Sequence, residues 1–282
     1  MTVSPIISAP DGFARPMIKI TLESDFPKMS DHSYPESTLI FQNNQLIRLN
    51  LFNHLTEPTS LHLHGIIHPD NPWVDGTYGI TQCGIPPGSN YTYVIQLDPK
   101  LHPPGLYWYH SHYPGQTVDG FSGALIILNS TNPQKNLIDQ ILLVQDGYHQ
   151  TGAQMIRRMQ GPYTYQNRKS ERRPNAYPFP GPSILINKIG QYNCSRTGEL
   201  TEQTCINRRL EDLDCIPDPE SYFDLCRSIS PDQIPQIFCS KIGDNNKIAI
   251  GVINTGATLP IRLWFPHSKI KDRKSTRLNS SH

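Results

Sequence analysis

Two histidine pairs carry the chemistry that this sequence offers. They stand in Leu61-His62-Leu63-His64-Gly65 and in Tyr109-His110-Ser111-His112. On a β-strand, side chains two positions apart leave the same face, with Cα atoms roughly 6.6 Å apart at a rise of about 3.3 Å per residue. Each pair therefore presents two imidazoles to one small volume, and two such strands side by side bring four neutral nitrogen donors together. That donor set suits copper, zinc or iron better than magnesium or calcium, which prefer oxygen. With 11 histidines in 282 residues, chance alone supplies about 0.4 pairs of this spacing, so the surrounding residues must decide the matter.

The elements that position the pairs read as short strands. Ile47, Leu49 and Leu51 alternate with Arg48 and Asn50, the period of a half-buried strand. Further candidates are residues 91–97, 106–110, 120–128, 141–145, 183–187 and 247–254. The turn-forming runs Pro69-Asp70-Asn71-Pro72, Pro86-Pro87-Gly88 and Pro103-Pro104-Gly105 separate the early ones. The 26 prolines and 19 glycines, with only 37% hydrophobic residues, argue for many turns and little helix. The expected fold class is all-β, a sandwich or barrel. One helix is expected over residues 151–160, where Met155, Ile156 and Met159 follow a capping Thr151. The polar run 130–136 reads as a linker and places a domain boundary there. A faint echo links Phe52-Asn53-His54-Leu55-Thr56-Glu57-Pro58 with Ile253-Asn254-Thr255-Gly256-Ala257-Thr258-Leu259-Pro260, the second copy lacking the histidines.

Charge and cysteine usage narrow the class. The 25 basic and 24 acidic residues leave a formal charge of +1, which argues against an electrostatic nucleic-acid binder. The longest apolar runs, 124–128 and 141–144, fall far short of the roughly 18 residues of a membrane helix. Residues 1–10 lack the basic start and apolar core of a secretory leader. Cys194, Cys205, Cys215, Cys226 and Cys239 cluster in the polar stretch 191–246, none in a Cys-x-x-Cys pair, and Cys83 stands apart. Disulfides stapling an insertion, and hence an oxidising compartment, are the natural reading. The sequons at Asn90, Asn129 and Asn193 agree with a secretory or extracellular location.

The surroundings of the pairs are specific. Thr56-Glu57-Pro58-Thr59-Ser60 leads into the first pair and Asp75-Gly76 follows it. Thr81-Gln82-Cys83-Gly84-Ile85-Pro86-Pro87-Gly88 comes next, and Gly105-Leu106-Tyr107-Trp108 leads into the second pair, with Gln116 and Asp119-Gly120 after it. In these residues the sequence closely resembles the multicopper oxidases, the family of laccases, ascorbate oxidases and ferroxidases. The likeness runs more thinly through Leu185-Ile186-Asn187 and Ile253-Asn254-Thr255-Gly256-Ala257 to about Phe265.

That resemblance implies cupredoxin-like (plastocyanin-like) Greek-key β-sandwiches, three in the family, with a trinuclear copper cluster held between the first and third. For this chain it implies a complete first domain, 1–132, carrying both copper motifs, and a truncated second one, 133–271, with the Cys-rich insertion 191–246. By the same resemblance His62 binds the type 2 copper, and His64, His110 and His112 bind the type 3 pair. The resemblance also implies that Asp75 is the carboxylate that hydrogen-bonds near the cluster and relays protons. The implied partners are O2 and a small reducing substrate: a phenol, ascorbate or a metal ion. The type 1 copper of the family needs a cysteine flanked by histidines, and no cysteine here has a neighbouring histidine. His149, His267 and His282 stand isolated. Residues 272–282 resemble the translation of a sequencing-library adapter, so the expectation is a copper-binding N-terminal part of an oxidase, inactive alone.

Two other readings use the same pairs. A cupin-type metal oxygenase also sets His-x-His on a β-barrel, but expects a glutamate soon after, where this chain has Gly65-Ile66-Ile67-His68-Pro69-Asp70. The other is a non-catalytic cupredoxin-like binding module with structural histidines.

Overall fold

The computed structural model describes residues 1–23, 34–35, 37–132, 138, 140–160, 183–190 and 249–257. Eleven strands, one α-helix and a short 3-10 turn (Pro72–Val74) lie among them: β1 (Thr2–Ser8), β2 (Arg15–Thr21), β3 (Leu39–Gln42), β4 (Leu46–Asn53), β5 (His62–His64), β6 (Asn90–Gln96), β7 (Gly105–His110), β8 (Ser122–Leu128), β9 (Gln140–Gly147), α1 (Gly152–Gln160), β10 (Ser183–Ile186) and β11 (Ile250–Asn254). Among the described residues no helix is long and apolar enough to cross a membrane.

Two four-stranded sheets, ordered β2-β1-β4-β6 and β3-β8-β7-β5, face each other. From β3 to β7 the chain changes sheet at every step. Alternation then fills the space between the sheets: Ile47, Leu49 and Leu51 of β4 and Tyr93 and Ile95 of β6 meet Leu63 of β5, Tyr107 and Tyr109 of β7, and Leu125 and Ile127 of β8. Gly123 is required inside this core, because a Cβ there would lie 2.4 Å from the Tyr109 hydroxyl. That hydroxyl donates to the Ser37 carbonyl at 2.6 Å, and burial raises its pKa well above the usual tyrosine range.

A third sheet, ordered β10-β9-β11, covers part of the outer face of β3-β8-β7-β5. Ile40, Ala124 and Ile126 pack there against Ile141, Leu143 and Ile253. β8 is therefore apolar at successive positions, odd residues facing one core and even residues the other. Burying each such Ile or Leu contributes about 1.5–3 kcal/mol.

The faint sequence echo has a structural counterpart. β2 runs antiparallel to β1 and β4 parallel to it, while β10 runs antiparallel to β9 and β11 parallel to it. The two asparagines of the echo end β4 and β11. Asn53 Oδ1 accepts from the Leu55 N–H at 2.9 Å, and Asn254 Oδ1 accepts from the Gly256 N–H at 2.9 Å. The same Asx turn closes the same strand of both sheets.

Differences from the sequence reading have local causes. The β1–β2 hairpin and β3 were not anticipated. Pro5 and Pro16 disguise the hairpin, and β2 tolerates Pro16 because it is a sheet edge. The strand expected from residue 120 begins at Ser122, since Gly120 turns the chain at φ +101°. The expected helix forms, and its cap is reciprocal: the Gln154 N–H donates to Thr151 Oγ1 at 3.3 Å and the Thr151 N–H to Gln154 Oε1 at 2.9 Å. Cys83 is an exposed free thiol. The five clustered cysteines, His267, His282 and the 272–282 tail lie outside the described residues.

One buried ion pair fastens the loop after β7 to its neighbours. Arg15, 3% exposed, donates from Nη1 to Asp119 Oδ1 and from Nη2 to the Val118 carbonyl, both at 2.7 Å. Asp119 Oδ1 also accepts from the Gly152 N–H at the start of α1, at 2.9 Å. Burial raises the Asp119 pKa, and Gly152 and Arg15 oppose that rise. Arg15→Ala leaves the carboxylate buried without its cation and costs about 3 kcal/mol in urea denaturation. A loss below about 1 kcal/mol would contradict this role.

Candidate metal centre

The ladder between β5 and β7 sets His62 directly opposite His110 and His64 opposite Trp108. Leu63 and Tyr109 enter the core, so the histidines on either side of Leu63 must leave by the outer face, as does His110. The rings then converge. Centroids lie 5.5 Å apart for His62 and His64, 5.2 Å for His62 and His110, 5.4 Å for His62 and His112, and 5.4 Å for His110 and His112. Ligand-capable atoms of His62, His64 and His110 all lie within 4.8 Å of one another. The Trp108 indole stacks on His110 at 4.3 Å and on His64 at 4.9 Å, walling one side of the cluster.

Hydrogen bonds fix the tautomers. His62 Nδ1–H donates to the Asp75 carbonyl at 2.7 Å, and His110 Nδ1–H donates to the Ser111 carbonyl at 2.9 Å. In both rings Nε2 keeps its lone pair. His110 Nε2 is buried and meets no hydrogen-bond partner, an arrangement that costs about 1–3 kcal/mol unless something binds there. Burial also pushes the His110 pKa down to about 3; the Ser111 carbonyl opposes this and the neighbouring histidines add to it. The ring is neutral at ordinary pH, as a metal ligand must be.

Asp75 holds its place through backbone and side chain. Its Oδ2 accepts from Thr77 Oγ1 at 2.7 Å, and its Oδ1 lies 3.5 Å from His62 Nδ1. Gly76 permits this approach: at φ +81°, a Cβ would fall 1.8 Å from the Leu61 carbonyl oxygen. All five residues named from the sequence thus meet in one place. The supports went unnoticed there, because they act across long sequence separations. The Tyr93 hydroxyl accepts from the Leu61 N–H at 2.9 Å, and burial raises its pKa to about 12.

Two other histidines near the cluster behave differently. His102 is 1% exposed; its Nδ1 accepts from the Asp98 N–H at 2.9 Å and its Nε2–H donates to the Ile67 carbonyl at 2.9 Å. It ties two loops together and has no lone pair to spare. Burial holds His68 down to about 4, with Asp75 opposing and His102 and His62 assisting. His149 lies away from the cluster, stacked on Phe13 at 4.0 Å and bonded to Asp11 at 2.9 Å.

Residues 27–132 match the family model described as multicopper oxidase. Over 200 residues the chain is 31% identical to Laccase-1 of Cryptococcus neoformans var. neoformans, covering 70% of this chain and 29% of that protein. It is 38% identical over 144 residues to the iron transport multicopper oxidase fetC of Epichloe festucae, 50% of this chain and 21% of that one. The crystal structure of the laccase from Botrytis aclada superposes with a TM-score of 0.51 at 26% identity, covering 69% of this chain and 31% of that one. That of Fet3p, a multicopper oxidase that functions in iron import, gives 0.52 at 25%, covering 67% and 32%. The chain thus spans less than a third of the length of these relatives. The described residues have the all-β, cupredoxin-like fold expected from the sequence, and it is the fold of these multicopper oxidases.

Two measurements check the local account. The unfolded chain protonates histidine near pH 6.5, whereas folded His110 and His68 protonate only near pH 3 and 4. Stability is therefore intact above about pH 6.5 and declines as pH falls towards 4. A metal-free thermal midpoint unchanged between those values would contradict the assignment. Gly76→Ala forces a left-handed Cβ onto the Leu61 carbonyl and costs about 3 kcal/mol in chemical denaturation; a neutral substitution would refute the required approach.

Proposed function

We propose that His62, His64, His110 and His112 hold copper, His62 at the type 2 position and the other three at the type 3 pair, within a laccase- or ferroxidase-like oxidase. The observation that carries this reading is the packing of three imidazole donors within 4.8 Å of one another, with one buried lone pair left unanswered. Four imidazole nitrogens match copper, and the relatives are laccases and iron oxidases by name. Copper bound there supplies one-electron steps close enough together for O2 to be reduced to water. The substrate oxidised is a small reductant: a phenol, ascorbate or a metal ion. By its resemblance to the family, the chain contributes part of a cluster whose remaining ligands come from another domain, and alone it does not turn over.

The chain's own residues have definite tasks in this proposal. The carbonyls of Asp75 and Ser111 hold the Nδ1 protons of His62 and His110, aiming Nε2 at the metal. The Asp75 side chain, 31% exposed, takes protons from solvent at Oδ1 beside His62 and passes them towards the cluster. Trp108 keeps water from one face of His64 and His110. We assign residues 1–132 to the copper-binding domain and 133–271 to a second one, whose β10-β9-β11 sheet repeats the strand directions of β2-β1-β4. An extracellular or secretory location fits the cysteine usage.

Calorimetric titration of the full chain with Cu(II) tests the reading. Tight uptake is expected, weakened at least about tenfold by His62→Ala and by His110→Ala. Absent uptake, or uptake indifferent to both substitutions, would favour the non-catalytic binding module.

A further inference from the structure

Gln116 belongs to no strand, yet it is 3% exposed and its side chain touches both histidine segments. Its Oε1 accepts from Thr59 Oγ1 at 2.6 Å and from Ser111 Oγ at 2.7 Å, and its Nε2 donates to the Pro58 carbonyl at 2.9 Å. Thr59 and Pro58 precede the first pair; Ser111 separates the two histidines of the second. We propose that Gln116 is a positioning residue that sets the spacing between the two histidine pairs and so their joint affinity for copper, a role that rests on the copper reading above.

The need for such a link follows from β5. It is three residues long, lies at the edge of its sheet and, among the described residues, pairs only with β7. A ladder this short holds register weakly. What fixes β5 at its entry is a set of bonds from outside the ladder: Thr59 exchanges two backbone bonds with Ile85, at 3.1 and 2.7 Å, and Gln116 then ties Thr59 to the far strand's exit. The same network reaches His110. The Ser111 carbonyl accepts both the His110 Nδ1–H and, at 2.8 Å, the Thr117 hydroxyl. Ser111 Oγ accepts from the Tyr113 N–H at 3.1 Å while donating to Gln116. Moving Gln116 therefore moves the carbonyl that orients a proposed ligand.

The position asks for an amide of this length. Oε1 uses both lone pairs as an acceptor while Nε2 donates, which no hydroxyl or ionised carboxylate does together. Asparagine is one methylene too short to span Thr59, Ser111 and Pro58. Buried donors make the bonds costly to lose, because Thr59 and Ser111, 0% and 2% exposed, have no water to turn to.

The test is electron paramagnetic resonance of Cu(II) bound to the full chain, with affinity measured in parallel. Unsubstituted protein shows nitrogen hyperfine structure from donors of both pairs. Gln116→Met lowers the affinity about tenfold to a hundredfold and reduces the nitrogen set to that of a single pair. A less stable Gln116→Met chain with unchanged spectrum and affinity would overturn the proposal, leaving Gln116 a loop staple only. Should Gln116→Met fail to fold, Thr59→Val, isosteric and at the other end of the same bond, decides in the same way. No copper uptake by the unsubstituted chain overturns the copper reading, and this inference with it; uptake with an unaltered variant spectrum overturns this inference alone.

Discussion

The antiparallel register that puts His62 opposite His110 is the constraint on which the rest depends. A strand has two faces, so sliding β5 by one residue against β7 would drive His62 and His64 into the apolar core and turn Leu63 out to the cluster. Leu63 and Tyr109, 1% and 0% exposed, prevent that slip by their burial. Tyr93 reaches across from the other sheet to hold Leu61, and Gly76 lets the Asp75 carbonyl approach His62. Residues of both sheets, and of the loops between them, thus hold one edge strand of three residues in place.

The layering explains why the cluster sits where it does. The β3-β8-β7-β5 sheet has one face in the sandwich core and the other shared between the β10-β9-β11 sheet and the histidines. The third sheet covers the β3-β8 side, where Ile40, Ala124 and Ile126 are apolar, and the imidazoles take the β5-β7 side. Arg15 and Asp119 tie the loop that follows His112 both to β2 and to the start of α1. The loop bearing the second pair is held at each end of its course, which suits a site whose geometry must not drift.

What was legible in the sequence follows from range. Period-two patterns mark strands, so the shared face of His62 and His64 could be read from spacing, as could the helix behind Thr151; the same reading put His112 on a strand with His110, whereas β7 ends at His110 and His112 reaches the cluster from the loop that follows. The echo between Asn53 and Asn254 was visible because an Asx turn is a local device. The β1–β2 hairpin was hidden by Pro5 and Pro16, the latter on the edge strand β2. β8 gave an apolar run whose two-sided burial depends on a third sheet far along the chain. Gln116 was marked only by the family resemblance, without a role, and Tyr93 and Ser111 carry no mark of their importance, since each acts through a contact with residues tens of positions away, or through a carbonyl that any residue possesses.

The most direct measurement of the central claim is anomalous diffraction at the copper edge from crystals of the copper-loaded chain. The account predicts copper peaks bounded by Nε2 of His62 and His110 and by the rings of His64 and His112, with the Asp75 and Ser111 carbonyls still on the Nδ1 atoms. Peaks lying elsewhere on the surface, or a cluster that remains metal-free while copper binds at other residues, would contradict it.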